Sequence, residues 1–386
     1  MAKPAVLVVH NRYRIEGGEE RSVELQLRVL RRAEVKHRLL ERRSSDAGRA
    51  RAAAAMLRGG ERTGELAAAV RSLGADVVHV HNLQPLVGPR GLEAARDAGA
   101  RTVLHLHNVR LFCAIGVASR DGGPCFRCHH RHTLPGFVLN CRGSVPEAAV
   151  YAVALSAHQP RVIESVDRFV APSEYAAGQL AKLGLPADRI DVLAHYLPDE
   201  AFADSSSAGA GSYALVAGRL SREKGVDTAI RAAAASGTPL RIAGEGPEAP
   251  ALAELAAREG APVEMLGRVD RAEMSELLAG AAMTLMPSRY HEFSPYTALE
   301  AMASGVPVVA SKLGGLPELI GPERCIAPNE PDVLAKRMRE LWEDPALRRR
   351  EGEALIARAR EHHSEERFAR ELLALYDRVR SAGPAS

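Results

Sequence analysis

Two carboxylates stand eight residues apart in His291-Glu292-Phe293-Ser294-Pro295-Tyr296-Thr297-Ala298-Leu299-Glu300, a stretch that reads as strand, loop and helix. Glu292 falls on the loop. Glu300 falls on the helix beside Leu299 and Met302, where an otherwise apolar face makes a carboxylate need a partner such as ribose hydroxyls or a salt bridge. Upstream, Gly218-Arg219-Leu220-Ser221-Arg222-Glu223-Lys224-Gly225 follows a strand and opens a helix, the place where backbone amides and the helix dipole favour phosphate. Arg219 can fork onto phosphate oxygens and Lys224 can act as a point charge, so the two could neutralise a leaving pyrophosphoryl group without a metal. Incidental surface cations are the plainer reading. Gly244-Glu245-Gly246-Pro247 ends the next strand, and Gly244 and Gly246 would let backbone approach a ligand closely.

The first half offers histidines in place of cations. His79 and His81 alternate in one apolar run, and His105 and His107 in another, so each pair shares a face, with His81 and His107 near the carboxyl end where ligands bind. Gly17 and Gly18, within Glu16-Gly17-Gly18-Glu19-Glu20, sit between a strand and a helix and suit a phosphate- or acceptor-binding loop or a simple turn. A loop-rich stretch carries Cys113, Cys125, Cys128 and Cys141, a set able to give zinc tetrahedral thiolate ligation, with His129, His130 and His132 as substitutes. Free or redox-active thiols and disulfides stay open beside the structural zinc. Cys325 reads as a small core residue.

The elements that must position these groups follow from the alternation of short apolar runs with longer amphipathic stretches. Strands are expected at 5–9, 77–80, 102–106 and 169–171, and again at 213–217, 240–243, 263–266, 283–286 and 308–310. That rhythm predicts α/β architecture with two facing, Rossmann-like, doubly wound parallel sheets and a cleft between them. Residues 1–200 form the first domain, with the cysteine-bearing insertion at 111–143; a Ser/Ala/Gly-rich linker spans 201–212, and the second domain spans 213–362. Helices are expected at 332–343, 346–362 and 364–380; the segment 363–386, with Phe368, Leu372 and Tyr376 on one face, is expected to cross back to the first domain.

A chain of 386 residues with 46% hydrophobic and 26% charged residues can bury two cores. A net charge of only +3 argues against nucleic acid as partner. The basic cluster of Arg28, Arg31, Arg32, Lys36, Arg38, Arg42 and Arg43 is a solvated face or a contact for anionic lipid or a phosphorylated acceptor. Without an apolar run of about 18 residues or a signal-peptide layout, the expected place is the cytoplasm, with peripheral contact at the inner membrane face as an option.

The ordered motifs G-R-x-x-x-x-K-G, G-x-G and E-x7-E resemble those of family 4 retaining glycosyltransferases of the GT-B fold, over nearly the whole chain and most densely from Gly218 to Glu318. The resemblance implies that Arg219 and Lys224 bind the donor diphosphate, Glu292 contacts sugar hydroxyls, Glu300 binds the ribose, and Gly314, Gly315 and Glu318 line the sugar pocket. It makes His107 an active-site residue touching the transferred sugar. It also implies transfer from a UDP- or GDP-sugar to a hydroxyl of a glycan, glycolipid or small molecule, by front-face attack with the departing phosphate as base and no cofactor. Many relatives carry glycines where this chain has Phe293-Ser294-Pro295. Proline has no amide proton, so backbone contacts fall to Ser294, Tyr296 and Thr297. A nucleotide-sugar 2-epimerase and a non-catalytic nucleotide-sugar-binding protein are the alternative readings.

Overall fold

The computed structural model describes residues 3–13 and 17–381. Glu16 of the glycine-bearing loop lies outside them. The chain separates into two compact units: Met1–Ala118, Cys125–Ala194 and Glu366–Ser386 form one, and Ser119–Pro124 and His195–Glu365 the other.

The first unit is built on β1 (Val6–Arg12), β2 (His37–Arg43), β3 (Val77–His81), β4 (Arg101–His105), β7 (Arg168–Ala171) and β8 (Ile190–Val192), while β5 (Ser119–Arg120) and β6 (Gly123–Pro124) make a separate small hairpin. The six strands pair in parallel in the order β2-β1-β3-β4-β7-β8. Val6, Leu7, Val8 and Val9 are fully buried, which is why the strand reads as a continuous apolar run instead of an alternation. The second unit repeats the plan with β9 (Tyr213–Ala217), β10 (Leu240–Ala243), β11 (Val263–Gly267), β12 (Ala281–Met286), β13 (Val308–Ser311) and β14 (Cys325–Ile326), ordered β11-β10-β9-β12-β13-β14. The expected pair of doubly wound parallel sheets is present. In each, the chain winds outward from a central pair, β1 with β3 and β9 with β12. The carboxyl ends of that pair are where such sheets take ligands.

Several boundaries differ from expectation. β4 stops at His105, so His107 lies two residues beyond the strand on a bend. The first unit ends at Ala194, not at residue 200. Residues 201–212 are no loose linker: Ser206 and Ala208 are buried, and the buried Arg348 donates to the carbonyls of Ala208 and Gly209 at 2.8 Å each. Small residues are needed there for packing, not for freedom. Arg42 leaves the basic surface cluster altogether, because its side chain is buried and donates to the carbonyls of Glu61, Arg62 and Leu86. The final helix, Glu365–Ser381, buries Phe368, Leu372, Leu375 and Tyr376, and from Glu366 onward it belongs to the first unit. Among the described residues, no helix is long and apolar enough to cross a membrane.

Candidate active site

In the second unit the loops leaving β9 and β12 bring Lys224 and Glu292 together at the switch point. Lys224 Nζ lies 2.6 Å from Glu292 Oε1 and 3.1 Å from the Tyr290 hydroxyl, and Ser288 Oγ donates to the same Glu292 oxygen at 2.9 Å. Tyr290 also donates to Glu292 Oε2. Burial works against the Lys224 charge, but Glu292 and then Tyr290 outweigh it and hold the ammonium pKa above that of an ordinary lysine. Burial and the Glu292 carboxylate push the Tyr290 phenol up as well, so it stays a donor. With the Glu292 side chain 6% exposed, its four-membered cluster is a fixed feature, not a surface pair. Arg219 is held differently: its guanidinium meets Glu223 at 2.6 Å, and Ser221 supports the same carboxylate at 2.7 Å. Both cations are therefore already paired with carboxylates.

The glycines of this unit serve its own backbone. A Cβ on Gly244 would stand 1.9 Å from the Gly218 carbonyl oxygen, and one on Gly246 would stand 2.1 Å from that of Leu220. The crossing of two loops by itself requires their smallness; Leu220 N donating to Glu245 O at 2.8 Å seals the crossing. Gly314 and Gly315 press on Glu292 in the same way: a Gly314 Cβ would meet the Glu292 carbonyl at 2.3 Å, and Gly315 N donates to that oxygen at 2.7 Å.

Pro295 is the residue before the helix Tyr296–Ala303, in extended conformation, so Tyr296 and Thr297 take the first two helical positions and Ala298 makes the first bond back to Pro295. Ser294 and Tyr296 are buried, whereas Thr297 and Glu300 are half-buried on this helix turn. His195 fixes the loop: its Nδ1 meets the Ser294 carbonyl at 2.9 Å and its ring stacks on Tyr296 at 4.4 Å. Burial depresses the His195 pKa to about 4, so a neutral Nδ1–H donates there. Sequence reasoning missed His195 and Tyr290. Only the position of Tyr290, two residues before Glu292, hinted at a shared cluster.

The first unit places a histidine stack at its own switch point. His81 and His105 are register partners on β3 and β4, and His107 stacks on His105 at 4.2 Å. A hydrogen-bonded chain runs inward from His107: its Nε2 lies 2.9 Å from His81 Nδ1, and His81 Nε2 meets Gln26 Oε1. Gln26 Nε2 then donates to the Tyr376 hydroxyl at 2.7 Å, and that hydroxyl lies 2.9 Å from His79 Nδ1. Burial lowers the His79 pKa to about 3, so this core of the chain is neutral. His79, His81 and His105 bring three ring nitrogens within 4.8 Å, but both nitrogens of His81 are already engaged, which argues for a hydrogen-bond network over a metal centre. Gln26 and Tyr376 were not foreseen as members. Gly17 is extended and exposed, and Glu20 caps the following helix by accepting from Gly17 N at 2.7 Å; Gly18 is the helix's first residue.

Cys113, Cys125, Cys128 and Cys141 are half-buried and not joined in disulfides. Cys128 and Cys141 flank Gly136, where a Cβ would meet Ala114 at 3.6 Å and Cys128 Sγ at 3.9 Å, and Cys141 N donates to the Gly136 carbonyl at 3.0 Å. Burial, then Cys113, Cys141 and Cys125, push the Cys128 thiol up to about 11. Among the described residues, the sets with three ligand atoms inside 4.8 Å are made of histidines, so these thiols are gathered but not at coordination spacing.

Residues 199–360 match the family described as glycosyl transferases group 1, and residues 5–195 the glycosyl transferase 4-like domain. The chain is 28% identical over 326 residues to the D-inositol 3-phosphate glycosyltransferase of a Nocardioides species, covering 75% of this chain and 70% of that protein. It is 39% identical over 111 residues to the MMP alpha-(1->4)-mannosyltransferase of Mycolicibacterium hassiacum, which is 28% of this chain and 27% of the relative. It thus spans about a quarter of that relative and 36% of a Mycobacterium tuberculosis glycogen synthase. Its fold is shared with sucrose-phosphate synthase of Thermosynechococcus elongatus (TM-score 0.74, 17% identity, 98% and 100% covered). Anabaena HepE in complex with UDP has the same fold (TM-score 0.68, 16% identity, 97% and 100% covered). The chain belongs to the family 4 glycosyltransferases of the GT-B fold.

Proposed function

We propose that this family 4 chain transfers a sugar from a nucleotide-diphosphate donor to a hydroxyl, with retention of anomeric configuration and no catalytic cofactor. The observation that carries the reading is the Lys224–Glu292–Tyr290 cluster at the β9/β12 switch point. Lys224 spends two of its donors on Glu292 and Tyr290 and keeps a third for a phosphate oxygen, while a diphosphate can draw Arg219 away from the more exposed Glu223 pair. Stabilising the departing diphosphate is the main electrostatic task, since its charge grows as the glycosidic bond breaks. Glu292 holds Lys224 and offers carboxylate oxygens to sugar hydroxyls. Glu300 serves the ribose, and Ser294, Tyr296 and Thr297 supply the loop that takes the place of the family's glycines.

His107, held by His81, contacts the transferred sugar, and the departing phosphate takes the acceptor proton as the new bond forms on the same face. UDP bound to a neighbour of this fold supports a nucleotide donor, and the D-inositol 3-phosphate glycosyltransferase relative supports a polyol acceptor. Incubation with UDP- and GDP-sugars, followed by proton NMR of the product, tests the reading. A new glycoside with the donor's anomeric configuration is expected; inverted product, or C2-epimerised sugar without a glycoside, would overturn it.

The cysteine-bearing insertion has a separate role. The four thiols fit a structural zinc by donor chemistry, and a cation would offset both the burial and the smaller mutual repulsion that raise the Cys128 pKa. Metal analysis of protein purified without added zinc should find close to one equivalent. Less than about a tenth of an equivalent would sink the zinc assignment.

A further inference from the structure

Eight large apolar side chains are exposed among the described residues, and five of them, Leu134, Phe137, Val138, Val145 and Val153, fall in one short stretch of the first unit, where they are 37% to 69% exposed. Leu134, Phe137 and Val138 recur at i, i+3 and i+4 on the helix Leu134–Val138, so they share a face. On the helix Val145–Ser165, Val145, Ala149, Val153 and Ala157 recur at every fourth position and leave an apolar stripe toward water, whereas Ala152, Leu155 and Val162 are buried on the other side. A helix on a globular surface normally turns polar residues outward. The two helices are tied together, since the buried Thr133 hydroxyl donates to the Ala152 carbonyl at 2.6 Å, one residue before Leu134 and one before Val153.

The same stretch is basic and free of acid. From Gly122 to Pro146 it carries Arg127, Arg131 and Arg142, with His129, His130 and His132, and neither aspartate nor glutamate. Arg127 and Arg131 are exposed, and Arg131 donates to the Ser156 carbonyl at 3.2 Å, which sets it beside the apolar stripe. The acids at either end are already paired, Asp121 with Arg120 and Glu147 with Arg142, each at 3.1 Å. We propose that this face, made by the cysteine-bearing insertion and the helix Val145–Ser165, rests on an anionic lipid surface, with Leu134, Phe137 and Val138 entering the acyl boundary and Arg127 and Arg131 meeting lipid phosphates. The inference stands apart from the transferase reading. A second copy of the chain seated here by twofold symmetry would set these cations against their own kind with no acid to relieve them. The basic cluster around β2 lacks the apolar half of such a surface: Leu39, at 36%, is its one exposed large apolar side chain among the described residues.

Co-sedimentation of the intact protein with vesicles tests the proposal. Phosphatidylcholine vesicles containing about 30% phosphatidylglycerol should carry the protein down, and phosphatidylcholine alone should carry down about tenfold less. Raising NaCl from about 0.1 M to about 0.5 M should weaken the anionic binding without abolishing it, because the apolar contact is not screened. Leu134→Ser with Val138→Asp should cut binding about tenfold while thermal unfolding stays at the wild-type temperature, since both side chains already face water. Arg31→Glu with Lys36→Glu, in the β2 cluster, should leave binding within about twofold of wild type. Absence of binding to the anionic vesicles, full binding by the Leu134/Val138 variant, or an equal loss in both variants would overturn the proposal. So would a wild-type dimer that binds no vesicles and that the Leu134/Val138 variant converts to monomer, which would make this face an interface between copies.

Discussion

The two units solve one topological problem with opposite chemistry. Each has a doubly wound sheet whose central strands end in a ligand-ready crevice, β9 and β12 in one, β1 and β3 in the other. At the first of these crevices stand Lys224, Glu292, Arg219 and Glu223, fixed charges held as ion pairs. At the second stand His79, His81, His105 and His107, joined to Gln26 and Tyr376 and neutral at their buried end. The contrast teaches that the fold supplies a place and the side chains choose the ligand's charge. On the proposed reading, the paired cations take an anion able to compete for them, and the neutral donors and acceptors take hydroxyls.

The largest effect expected from breaking this contrast is at Lys224. Lys224→Ala leaves Glu292 buried without its cation, so it should abolish measurable nucleotide-diphosphate binding and also cost about 2–3 kcal/mol of stability by chemical denaturation. The double variant Lys224→Met with Glu292→Gln should recover most of that stability without recovering binding. Recovery of both would mean the cluster is only structural.

Glu19 sharpens the other side through its pH dependence. Burial holds its folded pKa at about 7, above its ordinary 4.5, so its favourable contribution to stability is fully present below pH 4.5 and is lost as pH rises through 7. Glu19→Gln should therefore match wild type near the acid end of the range and exceed it at pH 8 by up to about 3 kcal/mol. Equal stability of the two proteins at pH 8 would contradict the buried, raised carboxyl.

A smaller effect belongs to Tyr376→Phe, which removes one hydroxyl from the chain leading to His107. It should cost about 1 kcal/mol, and it should lower turnover more than donor affinity because Gln26 loses the partner that orients it toward His81. An equal loss in turnover and affinity would make the chain a packing device.

The donor side was legible because its chemistry is local. Arg219 and Lys224 share one loop, and Glu292 and Glu300 share one loop–helix junction, so spacing along the chain carries the arrangement. The alternation of apolar runs likewise gave the central strands of both sheets, while the edge strands His37–Arg43, Ile190–Val192 and Cys325–Ile326 are too short or too little buried to carry an apolar run. The histidine network was legible only in part. His81 and His107 could be placed near strand ends, but Gln26 and Tyr376 lie 350 positions apart and meet only through tertiary packing. Glu19 was hidden for a related reason: a glutamate in the first turn of a helix ordinarily complements the helix dipole at the surface, and only the structure shows it 8% exposed. Gly244 and Gly246 were visible for the right property, smallness, but what they make room for is another loop's carbonyl, which no spacing reveals.

The central claim, that the charged crevice takes a nucleotide diphosphate, is tested most directly by following thermal unfolding during titration with UDP and GDP. Saturable stabilisation by at least one of them is predicted, reaching about 2.7 kcal/mol at a hundredfold excess over Kd, and absent from the Lys224→Met, Glu292→Gln double variant. No stabilisation of the wild-type protein by either nucleotide, or undiminished stabilisation of the double variant, would contradict the account.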